Sequence, residues 1–153
     1  MFVSLKNIGL AGILILLSCT GNSGGNIIDQ NKNAPYELRT GMHNVSLQWI
    51  SNKHPLGQAT ITKDSTNWYH IIGAQKGDST DFLMIKGNIK VIDARHLLFM
   101  GEIRYRVGIL GPSECNKSGQ QNFIKPKNKN YWRLQDMAHC GTTDTVDYVD
   151  IFL

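Results

Sequence analysis

The sequence predicts an all-β domain, a single antiparallel meander of about eight strands forming a small barrel or sandwich. From residue 45 onward apolar side chains recur at every second position, the period of a half-buried strand rather than the 3.6 of a helix. The apolar runs are short and separated by clusters of Asn, Asp, Gly, Pro and Ser, which make turns. No internal window carries a convincing amphipathic helix, although 113–119 can form one turn of one. Closure into a barrel is favoured over a sandwich, because consecutive hairpins close readily and closure removes exposed strand edges.

The strands are expected in this order. Residues 45–50 place Val45, Leu47 and Trp49 on one face, and 58–62 and 68–74 follow after the turn-rich segments 52–57 and 63–67. Across 81–93, Leu83, Ile85, Gly87, Ile89 and Val91 share a face, with Gly87 marking a bulge or bend. The longest alternation sets Leu97, Phe99, Gly101, Ile103, Tyr105 and Val107 against the wet residues His96, Glu102, Arg104 and Arg106, with 93–96 as the hairpin turn before it. Segments 122–124, 131–134 and 146–153 complete the set. The apolar end Ile151-Phe152-Leu153 reads as a paired strand.

With 153 residues, 41% hydrophobic and 18% charged, the chain has room for one folded domain and lies far from disordered composition. A net charge of +4 is too mild an excess to predict nucleic-acid binding.

The N-terminus indicates the compartment. Lys6, an apolar run from Ile8 to Leu17 and the small residue Ser18 have the layout of a secretory signal peptide. That run is about ten residues long, against the roughly 20 needed for a membrane-spanning helix. Leu16-Leu17-Ser18-Cys19 resembles the lipobox of bacterial lipoproteins. The resemblance implies cleavage before Cys19, acylation of that residue and membrane attachment through its lipid, with two or more acyl chains giving a stable anchor. On this reading 1–18 is the signal peptide, 19–42 the lipidated Cys and a polar tether, and 43–153 the β domain. Thr20 is not the Asp that resembles an inner-membrane retention signal, so a bacterial cell-envelope location at the outer membrane is expected over the inner membrane. The 131–135 and 147–152 segments, with Cys140, resemble the C-terminal pattern of small uncharacterised exported bacterial proteins, a likeness that implies no activity.

With Cys19 taken by lipid, Cys115 and Cys140 remain in an oxidising compartment and are expected to form a disulfide. His43, His54, His70, His96 and His139 show no HxH or HExxH spacing, and His70 with His96 is the best metal pair only if both face one way. Asp144, Asp147 and Asp150, three apart on a strand, alternate faces and do not converge on calcium. Glu102 with Asp93 or Asp81 does not amount to a glycosidase pair. No catalytic, metal or cofactor motif is therefore expected.

The strongest interaction signal is the basic stretch 116–133, which has no acidic residue. Lys125, Lys127, Lys129, Tyr131, Trp132 and Arg133 are the expected partner-binding residues, suited to an envelope protein or an anionic glycolipid such as lipopolysaccharide. Nucleic acid is excluded by compartment. The expected function is a non-catalytic envelope lipoprotein that binds a partner, of inhibitor or immunity type, with a lipocalin-like carrier of a small apolar ligand as the alternative.

Overall fold

Alternating residues along each chain segment point to one shared interior in the computed structural model, which describes residues 36–141 and 144–153. Eight strands, β1 (Gly41–Leu47), β2 (Gly57–Lys63), β3 (Tyr69–Lys76), β4 (Phe82–Val91), β5 (His96–Arg106), β6 (Cys115–Ile124), β7 (Trp132–Leu134) and β8 (Val149–Phe152), pair each with the next. The sheet closes where β1 pairs antiparallel with β8, Asn44 opposite Phe152 through Leu47 opposite Val149. The choice between barrel and sandwich is thus settled for the barrel. Residues 1–18 and Cys19, the expected leader and lipid site, lie outside the described residues, as does most of the tether.

In a meander successive turns alternate between the two barrel ends. The segment 36–40, the turns 64–68 and 92–95 and the loop 125–131 lie at one end, here the near end. The connections 48–56, 77–81, 107–114 and 135–148 lie at the far end. Ahead of β1 the chain is already packed: Leu38 is buried, its N–H donating to the Tyr69 hydroxyl at 3.3 Å, and the Tyr36 ring sits 5.9 Å from that of Trp132.

The interior is filled by large side chains, among them Trp132, Tyr105, Phe99 and Phe123. Phe99 explains a glycine that the sequence marks as a bend. Gly87 makes no bulge; it pairs in register with Gly101, opposite in turn to Gly119. A methyl group at Gly87 would stand 2.7 Å from Phe99 Cε2, and one at Gly101 2.7 Å from Cζ, so the two glycines make room for the ring.

Several expected boundaries are corrected. The 45–50 strand ends at Leu47, and Gln48–Ser51 forms a single helical turn, α1, that buries Ile50. The cause is Gln75: buried, it accepts the Leu47 N–H at 2.8 Å and donates to Ser51 Oγ and the Pro55 carbonyl, each at 2.9 Å. Those bonds take the chain out of the sheet. The helical turn expected at 113–119 is absent; β6 begins at Cys115 and includes the short strand expected at 122–124, while a 3-10 turn stands earlier, at Gly108–Leu110. The final strand is shorter than 146–153, with Val146 instead bridging to Ala138.

β6 is ten residues long but β7 only three, pairing through Phe123–Leu134 and Ile124–Arg133. Beyond that point residues 136–140 run beside the remaining length of β6. Cys115–Cys140, with 5.3 Å between Cα atoms, fastens the loop there, as expected from the cysteine count. Lys117 adds a second fastening, donating to the Ala138 carbonyl at 2.8 Å and pairing with Asp136 at 2.9 Å.

Deleting the last five residues strips β1 and β7 of their partner, so cooperative thermal unfolding is expected to disappear; an unchanged melting temperature would contradict the closure. Replacing Cys115 and Cys140 by Ser is expected to lower stability by roughly 3 kcal/mol, from the entropy the unfolded chain regains, read as a shifted denaturant midpoint.

Candidate functional site

The near end gathers cations on two neighbouring connections. In the β4–β5 turn, Asp93 Oδ1 accepts the N–H groups of Arg95 at 2.7 Å and His96 at 2.9 Å, and His96 Nδ1 lies 2.8 Å from Oδ2. The Arg95 N–H, reinforced by His96, holds the Asp93 carboxyl below the usual carboxylate range. Its charge serves the turn. The adjoining loop is tied to this turn by its backbone, Lys125 N–H donating to the Arg95 carbonyl at 2.8 Å and Arg95 Nε to the Lys125 carbonyl at 3.2 Å. The loop tightens where Lys129 N–H reaches the Pro126 carbonyl, with Asn128 at φ 61°, a left-handed conformation that Asn tolerates.

Arg95, Lys125, Lys127 and Lys129 thus border one shallow hollow of about 290 Å³. Among the described residues no carboxylate stands within ion-pair distance of any of the four. The Lys125 ammonium lies 4.4 Å from the Trp132 ring centroid, over its face. This cation is held in place while its charge stays uncancelled.

The six residues expected to bind a partner therefore separate. Lys125, Lys127 and Lys129 share the hollow, but Trp132 is fully buried in the core and touches the rim only as a platform under Lys125. Arg133 faces the outer wall, where it donates through two nitrogens to Asp150, both at 2.8 Å, and stacks on Tyr148 at 3.9 Å and Tyr131 at 5.0 Å. Its charge is met within the protein. Tyr131 is half-buried and packs on Phe152. Arg95 joins the rim although sequence reading passed over it; the alternation of hairpin ends, which puts 92–95 beside 125–131, was the signal that could have found it.

The histidines do not meet. His43 lies between the carbonyl oxygens of Phe152 at 3.0 Å and Arg39 at 2.7 Å, and His70 reaches Asn88 at 3.2 Å. His54 Nε2 is 3.2 Å from Asp78 but off the line of a hydrogen bond. No group of three or more metal-capable side chains occurs among the described residues. Glu102 bonds Asn116, apart from Asp93 and Asp81.

A second polar cluster at the far end was not foreseen. Asp147, fully buried, accepts Trp49 Nε1–H at 2.8 Å and the Tyr105 hydroxyl, and its other near neighbour is His139 Nδ1 at 2.8 Å. Its own N–H donates to the Met137 carbonyl at 2.7 Å. Among the described residues no Ser, Thr or Cys side chain is hydrogen-bonded to the His139 ring. The cluster joins α1, β5 and two parts of the segment after β7, at His139 and Asp147, through one carboxylate. Spacing three apart among aspartates gave no sign of this, because the partners come from distant segments.

Burial, with Asp147 alongside, holds the Tyr105 hydroxyl protonated well above its ordinary value of 10.0. With the folded value raised, this contribution to stability is complete below the unfolded value and is lost as pH climbs past it, where only the unfolded tyrosine ionises. Tyr105→Phe is expected to lower stability at neutral pH, since Asp147 loses a donor, but to flatten the decline above about pH 10. Denaturant titrations at several alkaline pH values check this.

Comparison with known proteins places the chain in a family. The chain is 35% identical over 147 residues, covering 95% of this chain and 92% of the other, to "Uncharacterized protein PM1083" of Pasteurella multocida (strain Pm70). No solved structure matches it. The model of the PM1083 family matches residues 25–153, and with that coverage the chain belongs to the PM1083 family.

Proposed function

We propose that this protein is a lipid-anchored component of the bacterial cell envelope, held to the outer membrane through Cys19, whose barrel is a non-catalytic module that binds an anionic partner at the near-end rim. The single observation that carries the binding role is the set of four cations, Arg95, Lys125, Lys127 and Lys129, on rigidly joined connections without carboxylate partners among the described residues. Such a set attracts negative charge and has no structural task that consumes it. The lipobox-like Leu16-Leu17-Ser18-Cys19 supports the anchor. An acidic envelope protein, bound in the manner of an inhibitor or immunity factor, and an anionic glycolipid both fit this surface.

The carrier reading has one observation in its favour. Trp132 Nε1, buried inside the barrel, has no hydrogen-bond acceptor in the described structure, and such a group costs about 1–3 kcal/mol. A small ligand with an acceptor would satisfy it. Against this stand the large side chains filling the interior, where carriers keep cavities of roughly 300 Å³ or more.

Two measurements test the proposal. Mass spectrometry of protein from native membranes is expected to find Cys19 as an acylated first residue; an uncut, unacylated N-terminus would end the anchor reading. Pull-down from envelope extracts is expected to recover a partner that is lost when Arg95, Lys125, Lys127 and Lys129 are changed to Gln. Recovery of extractable lipid alone, unaffected by those changes, would favour the carrier.

A further inference from the structure

We infer that the rim is a membrane-docking surface, which seats the near end of the barrel on anionic phospholipid headgroups of the membrane that holds the chain; this rests on the anchored reading above. One feature, charge, places the contact at this end, and two others are compatible with it. Firstly, charge is divided along the barrel axis. The near end carries Lys90 in addition to the four rim cations, while its acids are engaged: Glu37 pairs with Lys63 at 2.8 Å, Asp64 accepts the Thr66 and Trp68 N–H groups, and Asp93 holds its turn. The far end carries the acids Asp78, Asp81, Glu114, Asp136 and Asp144 against the cations Lys53, Lys76, Arg104, Arg106 and Lys117, with Glu114 paired to Arg104 and Asp136 to Lys117, so it has no positive excess.

Secondly, the near end has exposed apolar surface beside its cations; the far end also exposes an aliphatic side chain, Ile109 at 78%, but without a cation excess. Ile92, beside the rim in the same turn as Arg95, is 58% exposed, and Lys90 lies over the half-buried Trp68 ring at 5.7 Å. Lysine, tryptophan and an exposed aliphatic side chain together suit the headgroup layer, where an apolar group enters and the charge remains among phosphates.

Thirdly, the chain reaches the barrel at this same end, through Tyr36. However the preceding residues fold, the stretch from Cys19 to Tyr36 spans at most about 60 Å. That is longer than a strand of ten or eleven residues, about 35 Å, so attachment alone leaves either end free to face the lipid. The anchor therefore sets proximity and the charge difference sets orientation. Each cation at an anionic surface is worth roughly fivefold in binding at moderate salt.

The test reconstitutes the full chain in vesicles of phosphatidylcholine alone or with phosphatidylglycerol and follows amide hydrogen exchange by mass spectrometry. Amides of 92–95 and 125–131 are expected to slow roughly fivefold in the anionic vesicles, relative to far-end amides of 107–114. The effect should vanish at high salt and in the Lys127→Gln, Lys129→Gln double variant, whose changed side chains are exposed. Unaltered exchange along 82–91 in that variant shows that it is folded. Equal rim exchange in the two lipids overturns the inference, as does equal protection on adding inorganic phosphate to phosphatidylcholine vesicles, which would make the ligand a soluble anion. Cys19 is examined in the same samples. An acylated Cys19 without rim protection defeats the docking surface alone; rim protection with an unacylated Cys19 supports the docking surface and defeats only the anchor.

Discussion

The ladder between the first strand and the last is the constraint on which the rest of this structure depends. Four residue pairs, from Asn44–Phe152 to Leu47–Val149, turn an open meander into a closed wall. Closure gives every inward-facing side chain neighbours from across the barrel, and it leaves no long unpaired edge between β1 and β8. It also makes the distinction between two ends meaningful. Once eight consecutive strands close in sequence order, alternate turns gather at each end, and residues 30 positions apart, such as Arg95 and Lys125, become neighbours.

The wall is not uniform. Between the far-end part of β6 and β8 the backbone ladder gives way to a loop, and that is where the covalent and charged fastenings are concentrated: the disulfide, Lys117 with Asp136, and Asp147 with its three neighbours. A buried carboxylate is costly unless its lone pairs are used. Asp147 meets that cost with neighbours from three separate segments, α1, β5 and the segment after β7. The near end is built differently: the Asp64 and Asp93 side chains and backbone bonds hold its turns, while Lys127 and Lys129 stay exposed.

Period-two alternation made most of the strands legible, since each strand has one face on the interior; β4 and β5, the longest expected, match within two residues. What failed was set by side chains acting at a distance. Gln75 ends β1, and nothing in the local pattern Val45, Leu47, Trp49 announces it. The first half of β6, Asn116 to Gln121, is too polar to read as a strand, but its bonds to β5 require no apolar face. For the site, three lysines were legible as a charge run, whereas the fates of Trp132 and Arg133 depended on whether a three-residue strand turned them inward or toward Asp150. Their charge and size were visible, but their direction was not.

The reciprocal tie between Arg95 and Lys125 has a wider consequence. One of its two bonds, and the turn bond between Lys129 and Pro126, run from main chain to main chain, so they do not require a cation at either Lys position. The main-chain part of the rim geometry is thus independent of which side chains stand at positions 125 and 129, while the Arg95 and Asp93 side chains supply the rest. Exchanging the two lysines would change the charge of the surface without removing those main-chain bonds, so at the near end the displayed charge and the supporting backbone are separable.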